Sequence, residues 1–212
     1  MGAEDKNKEQ AILEAAEQTF LEKGFEASKT TQIAARAGVT HTMLHYYYRT
    51  KENLFNMVFD KKLQLLKDSL YSLVGEPDVP FLERVEVGMK AHFDFIARNP
   101  HLPRFVINEL LFKPERLKIV EAVIEKTAHS LIDKIQQEID REVERGVIRP
   151  IGAATLLLDI ASLNVFLFAA LPIVNRFAIP QGMSEKEFIE MRKQENVEVI
   201  MCRLRIQPRS EP

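Results

Sequence analysis

His41 and His45 stand four residues apart, inside a stretch that carries positive charge and no acid. On a helix that spacing puts both imidazoles on one face, which suits two metal ligands or two groups that read another molecule. A metalloprotease helix would need Glu between them, and position 42 is Thr42, with no third ligand identifiable. No metal site and no cofactor are therefore expected. The surroundings favour the second chemistry. Residues 27–51 hold Lys29, Arg36, Arg49 and Lys51 without an acid, together with Tyr46, Tyr47 and Tyr48, whereas residues 1–26 hold three basic and seven acidic side chains. The net charge of −2 over 212 residues argues against a nucleic-acid partner. Phosphate, however, responds to the field of the face it meets rather than to the whole-chain sum.

The residues around the histidines have a definite geometry. Ala34, Gly38 and Leu44 are spaced as a helix-turn-helix requires. Ala34 is small where two helices would cross, Gly38 supplies a turn backbone with positive φ, and Leu44 points into a small core with Ile33, Val39 and Tyr48. The second helix then presents His41, Thr42, Met43 and His45 outward, the face that would enter a major groove. Tyr48 is expected in the core, and Tyr46 and Tyr47 at its edge.

The elements that must position these residues are helices. Ile12, Ala16 and Phe20 mark one face of a first helix ending at Gly24. Ser28 is expected to cap a short helix through Ala37, Thr40 a third to about Tyr47, and Thr50 a fourth that carries Phe55, Phe59, Leu63, Leu66 and Leu70 at helical spacing up to Gly75. Further helices are expected at about 81–98, 103–112, 114–145, 151–174 and 184–206, and no segment alternates as a strand would. The expected class is all-α. Ile151–Val174 carries a single charge, Asp159, which raises the question of a membrane span. Asp159, Asn164 and Pro172 within it favour burial against protein, and a symmetric subunit interface would supply the partners. His92, Asp94, Asn108, His129, Asp159 and Asn164 are polar residues in apolar helices, each expected to be exposed or internally hydrogen-bonded rather than part of a pocket. The body is rich in phenylalanine, which suits an apolar ligand and an ordinary core equally. The lone Cys202 excludes an internal disulfide and a Cys-rich zinc site, and the polar Met1–Gln10 is not a signal peptide, so a reducing cytoplasmic setting is expected.

Three stretches carry a family resemblance: Gly24-Phe25-Glu26-Ala27, then Ile33-Ala34-Ala35-Arg36-Ala37-Gly38-Val39, then Leu44-His45-Tyr46-Tyr47-Tyr48-Arg49-Thr50-Lys51-Glu52-Asn53-Leu54-Phe55. In order and spacing they closely resemble the N-terminal domain of the tetracycline-repressor (TetR) family, over about the first third of the chain. The resemblance implies an all-α homodimer. Residues 1–52 would form a three-helix DNA-binding head, with the fourth helix, 51–74, as connector, and 75–212 a larger helical bundle for ligand binding and dimerisation. It also implies roles: Thr30 and Thr31 at the DNA backbone, His41, Thr42 and Met43 at base-reading positions, Tyr47 and Lys51 on phosphates. The family usually has tyrosine where this chain has His45, and commonly Gly-Thr where it has Thr42-Met43. His45 would still donate to a phosphate, with a contribution that weakens as pH rises through its titration range. Met43 offers an apolar contact, as to a thymine methyl.

The expected partners are a pseudo-palindromic double-stranded DNA operator, a second copy of the chain through the helices at about 151–174 and 184–206, and an apolar small-molecule effector, with no membrane. The expected function is transcriptional regulation by a repressor that an effector releases. An all-α enzyme is the rival from another class, but Gly-rich phosphate loops, nucleophile elbows and paired Cys ligands are absent from the sequence. A helical interaction protein is the second rival, and neither predicts salt-dependent DNA binding.

Overall fold

The computed structural model describes residues 3–71, 79–107 and 114–206. Among them the chain forms ten helices and no strand: α1 (Ala3–Ala27), α2 (Thr30–Arg36), α3 (His41–Tyr48), α4 (Lys51–Tyr71), α5 (Phe81–Arg98), α6 (Leu102–Val106), α7 (Pro114–Glu144), α8 (Ala153–Ala169), α9 (Leu171–Phe177) and α10 (Glu185–Leu204). The all-α expectation holds. Two compact units emerge: residues 1–67 with 104–117, and residues 68–103 with 118–212.

In the first unit the apolar faces of α1 to α4 close on one another. Ile12, Ala16, Phe20, Ile33, Ala34, Leu44, Tyr48, Leu54, Phe55, Val58 and Phe59 are all buried. Phe55 lies at its centre, with ring centroids 5.2 Å from Phe20, 5.0 Å from Phe25 and 5.5 Å from Phe105. Edge-on and tilted packing of this kind fixes helix positions as well as burying area. The side chains of Leu63, Leu66 and Leu70 and the residues Asn108 and Phe112 lie outside the described set.

The helix ends in this unit are where local chemistry decides. Gly24 interrupts α1 with φ 74° and ψ 175°, a conformation that favours glycine. Ser28 does not cap α2. Its hydroxyl is buried and donates to the carbonyl of Gly24 at 2.6 Å, so the chain enters α2 one residue later, with Lys29 in the extended N-cap position. A serine one residue outside a helix that finds a nearer carbonyl is lost as a cap. Thr40 does cap α3, accepting from the Met43 amide, and Thr50 accepts from the Asn53 amide at 3.1 Å.

The second unit has its own core, in which Phe81, Val85 and Met89 of α5, Leu131, Ile135 and Ile139 of α7, Leu156 and Ile160 of α8 and Val197, Ile200 and Leu204 of α10 are buried together. Ile148 and Arg205 form an isolated antiparallel bridge. The segment expected as one helix over 151–174 is two, α8 and α9, bent by 72°. Pro172, in the first turn of α9, has no N–H for the ladder, and its ring would clash with the carbonyl of residue 168 in a continuous helix. No single helix among the described residues is long and apolar enough to cross a membrane. A capping box at Ser184 and Glu187 starts α10.

Candidate nucleic-acid interface

Helices α2 and α3 form the helix-turn-helix that the Ala34, Gly38 and Leu44 spacing requires. Ile33, Ala34 and Leu44 are at most 2 % exposed, so the two helices meet on small and apolar side chains. Gly38 takes φ 69°, and the amides of Ala37, Gly38 and Val39 turn back to the carbonyls of Ile33, Ala35 and Ala34. Past the turn, α3 shows His41, Thr42, His45 and Tyr46 to solvent, with Met43 half-buried and Leu44 and Tyr48 in the core.

The candidate side chains fall into three groups. Thr31 and Thr42 are exposed. Thr30, His41 and His45 form a connected row. The Thr30 Oγ1 lies 2.9 Å from His41 Nε2, the two imidazoles meet edge to face at 4.5 Å, and His45 Nδ1 lies 2.8 Å from the Arg49 carbonyl oxygen. A carbonyl only accepts, so His45 Nδ1 carries the proton. Arg49 itself has φ 58° and ψ −53°, and the Thr50 amide bonds back to the Tyr48 carbonyl at 2.6 Å, a tight γ-turn between α3 and α4.

The third group consists of donors already committed within the protein. Lys51 Nζ donates to the carbonyls of Phe25 at 3.0 Å and Ser28 at 3.1 Å, and sits 4.2 Å above the Phe25 ring. Tyr47 donates its only O–H to Asp5 at 3.1 Å, and partial burial and that carboxylate together raise its pKa, so the phenol stays neutral. Tyr48 donates to the Glu9 carbonyl, and burial, with the Glu9 charge second, pushes its pKa up to about 12.

The acid-free window is also less isolated in space than in sequence. Arg36 turns away to α1, pairing with both carboxylate oxygens of Glu22 at 3.1 and 3.0 Å. Lys29 and Arg49, which sequence reasoning counted as charges but assigned no role, are exposed at the start of α2 and the end of α3. The signal for them was the same charge tally; what it could not show is which of the window's cations turn inward.

In the second unit the polar residues of interest are mostly spent on one another. Asn164 donates to the Met89 carbonyl and to His92 Nδ1, both at 3.1 Å, and accepts from Asn196 at 3.1 Å. Burial pushes the His92 pKa down to about 4. Asp94 pairs with Lys193 at 3.0 Å, and His129 is exposed. A cleft of about 720 Å³ opens between the start of α5 and the end of α7, lined by Phe81, Leu82 and Val147 and by Arg84, Arg141 and Arg145 among glutamates. Arg84 there is ion-paired with Glu138 at 2.6 Å. Among the described residues no three His, Cys, Asp or Glu side chains converge as a metal site would need.

A small helical unit that presents an acid-free α3 beyond a glycine turn, followed by a separate helical unit, defines a helix-turn-helix transcriptional regulator. Comparison with known proteins agrees. Residues 12–58 match the family model for bacterial regulatory proteins of the tetR family, and residues 82–200 match the tetracyclin repressor-like C-terminal domain. The chain belongs to the TetR family. It is 28% identical over 148 residues to the HTH-type transcriptional regulator YhgD of Bacillus subtilis (strain 168), covering 68% of this chain and 73% of that one. It is 25% identical over 154 residues to the HTH-type transcriptional activator FasR of Mycolicibacterium smegmatis, covering 71% and 68% respectively. The crystal structure of AibR in complex with isovaleryl coenzyme A and operator DNA superposes with a TM-score of 0.65 over 91% of this chain and 97% of that one, at 18% identity.

Proposed function

We propose that the protein is a homodimeric repressor that binds a pseudo-palindromic operator through α3 and is released when a small molecule binds its second unit. The observation that carries the reading is the exposed, acid-free face of α3 beyond a correctly formed turn. His41, Thr42 and Met43 read base edges, and Thr30, Thr31, His45, Tyr47 and Lys51 complete the interface, with Lys29 and Arg49 adding cations at its rim. Tyr47 donates to phosphate only by giving up the Asp5 bond it holds in the free protein, whereas Lys51 has a third N–H beyond its two carbonyl bonds.

Dimerisation uses α8 and α10. Ala154, Leu158, Ser162 and Phe166 recur every four residues on the outer face of α8, with Leu158 66 % and Phe166 70 % exposed, and Val199 and Cys202 stand exposed on α10. Apolar side chains left exposed at that spacing fit a symmetric partner helix. The dimer holds two α3 helices about 34–36 Å apart, one turn of DNA. An effector that prefers another spacing shifts the population away from DNA by its differential affinity, with α4 as the lever. The effector presents an apolar group, and because the structurally similar AibR holds isovaleryl coenzyme A, compounds with a short branched acyl group are the first to try. A regulator that binds chromosomal DNA works in the cytoplasm.

The experiment is selection of random duplex DNA by the purified protein, then affinity against salt for the winner. An enriched inverted repeat with a steep salt dependence supports the reading. Binding without enrichment by protein refolded free of small molecules overturns it, and the absence of any salt-dependent binding leaves the helical interaction protein.

A further inference from the structure

We propose that Thr30, on α2, is a specificity-determining residue that acts through His41: its hydroxyl fixes the imidazole that α3 offers to a base pair. The inference rests on the reading of α3 as the helix that enters the groove. A base reader discriminates only when its donor or acceptor is held in one place, because a freely rotating side chain finds a partner on most bases. An exposed histidine at the first position of a helix would ordinarily rotate.

Here it is held on two sides. Thr30 Oγ1 lies 2.9 Å from His41 Nε2, and the His45 ring meets the His41 ring at 89° and 4.5 Å. His45 is in turn anchored by its Nδ1–H on the Arg49 carbonyl, at the γ-turn that ends α3. The row from α2 to that turn therefore holds the His41 ring by one hydrogen bond and by contact with a second ring that is itself hydrogen-bonded.

Committing Nε2 leaves Nδ1 as the nitrogen that His41 can turn to DNA. A hydroxyl both donates and accepts, so Thr30 supports either tautomer. When Thr30 donates to Nε2, Nδ1–H is a donor, suited to guanine N7 or O6. When Thr30 accepts from Nε2–H, Nδ1 is an acceptor, suited to an adenine or cytosine amino group. Thr30 thus shapes base choice without touching a base.

The test compares wild type with Thr30→Val, Thr30→Ser, His41→Ala and the double variant Thr30→Val/His41→Ala, each against DNA in which single base pairs of the selected site are varied. Thr30→Val keeps the shape and removes the hydroxyl. The expected result is a loss of about tenfold in discrimination at one base pair per half-site, with the other positions unchanged. Thr30→Ser should restore it, and Thr30→Val should change nothing further once His41 is gone. A uniform loss of affinity across all sequences, with preferences intact, would mean that Thr30 serves the DNA backbone and would overturn the proposal. So would an effect of Thr30→Val that persists in full in the His41→Ala protein. If Thr30→Val loses helicity by circular dichroism, Thr30→Ala carries the same comparison. Wild type that enriches no sequence refutes the reading of α3 itself, and this inference with it.

Discussion

Replacing Lys51 by methionine separates two uses of one ammonium group. In the free protein Lys51 donates to two carbonyls, Phe25 at 3.0 Å and Ser28 at 3.1 Å, and so ties the start of α4 to the end of α1 and the segment after it. Methionine keeps an unbranched stem against the Phe25 ring and removes only the charge and the donors. A hydrogen bond from a charged donor contributes about 1.5–3 kcal/mol. Lys51 is half-buried, so water competes and the low end applies, giving about 2–3 kcal/mol for the pair. With a urea dependence of about 1–3 kcal/mol/M, the midpoint should fall by about 1 M or more. Tyrosine fluorescence is a suitable probe, since the chain has no Trp and three of its four tyrosines are Tyr46 to Tyr48. The same protein should bind DNA more weakly at every sequence, with a salt slope reduced by about one unit if the remaining N–H reaches a phosphate. A midpoint unchanged within about 0.2 M would refute the clamp, and a reduced slope beside it would return Lys51 wholly to the DNA.

Three further outcomes are expected. His92 accepts from Asn164 in a buried site and has its pKa lowered to about 4, so the folded state keeps it neutral while an unfolded chain takes up a proton near 6.5. Stability from this group is complete above about pH 6.5 and is lost as pH falls toward 4, with about 2 kcal/mol gone between pH 7 and 5; wild type and His92→Gln compared by urea denaturation at fixed protein concentration should diverge by that amount, and parallel curves would contradict it. Phe166→Glu with Leu158→Glu should yield a monomer by sedimentation without loss of helicity, because both side chains are exposed in the single chain; a persisting dimer would place the interface elsewhere. Thr42→Ala should alter base preference in selection from random DNA while leaving the salt slope unchanged, since no charge is removed; an altered slope would count against a base-reading role.

The helix-turn-helix was legible because its constraints are local and steric. Ala34, Gly38 and Leu44 each admit few alternatives, and the structure gives them a helix crossing, a positive φ and a buried leucine. Thr40 and Thr50 were legible as caps for the same reason, since a cap needs only an amide three residues on. Ser28 was not, because its hydroxyl had a choice between a helix start and the Gly24 carbonyl, and the kink in α1 that brings the carbonyl near is a matter of three dimensions. The charge window was legible only in part, for the same reason. Arg36, Lys51 and Tyr47 are written among basic and aromatic neighbours, but Glu22, the Phe25 and Ser28 carbonyls and Asp5 come to them from α1 and the segment after it. A tally along the chain counts charges without their counter-charges. Arg36 meets a counter-charge in Glu22, whereas Lys51 keeps its charge against two neutral carbonyls, and Lys29 and Arg49 stay exposed.

The same distinction explains α8. Its composition is apolar nearly all round, so the sequence could not say which face meets its own subunit. The buried polar network settles that. Asn164 can satisfy its amide only where the Met89 carbonyl and His92 of α5 and Asn196 of α10 converge, and a register shift of one residue would leave buried donors without acceptors. Unpaired buried polar groups cost about 1–3 kcal/mol each, more than a modest change in apolar contact. The network therefore fixes the rotation of α8, and by fixing it leaves Ala154, Leu158, Ser162 and Phe166 on the outer side. A helix that needed only burial could have turned those residues inward. That it does not fits the proposal that the outer stripe meets a second subunit, and on that proposal the buried pair His92 and Asn164 sets which face of α8 is offered.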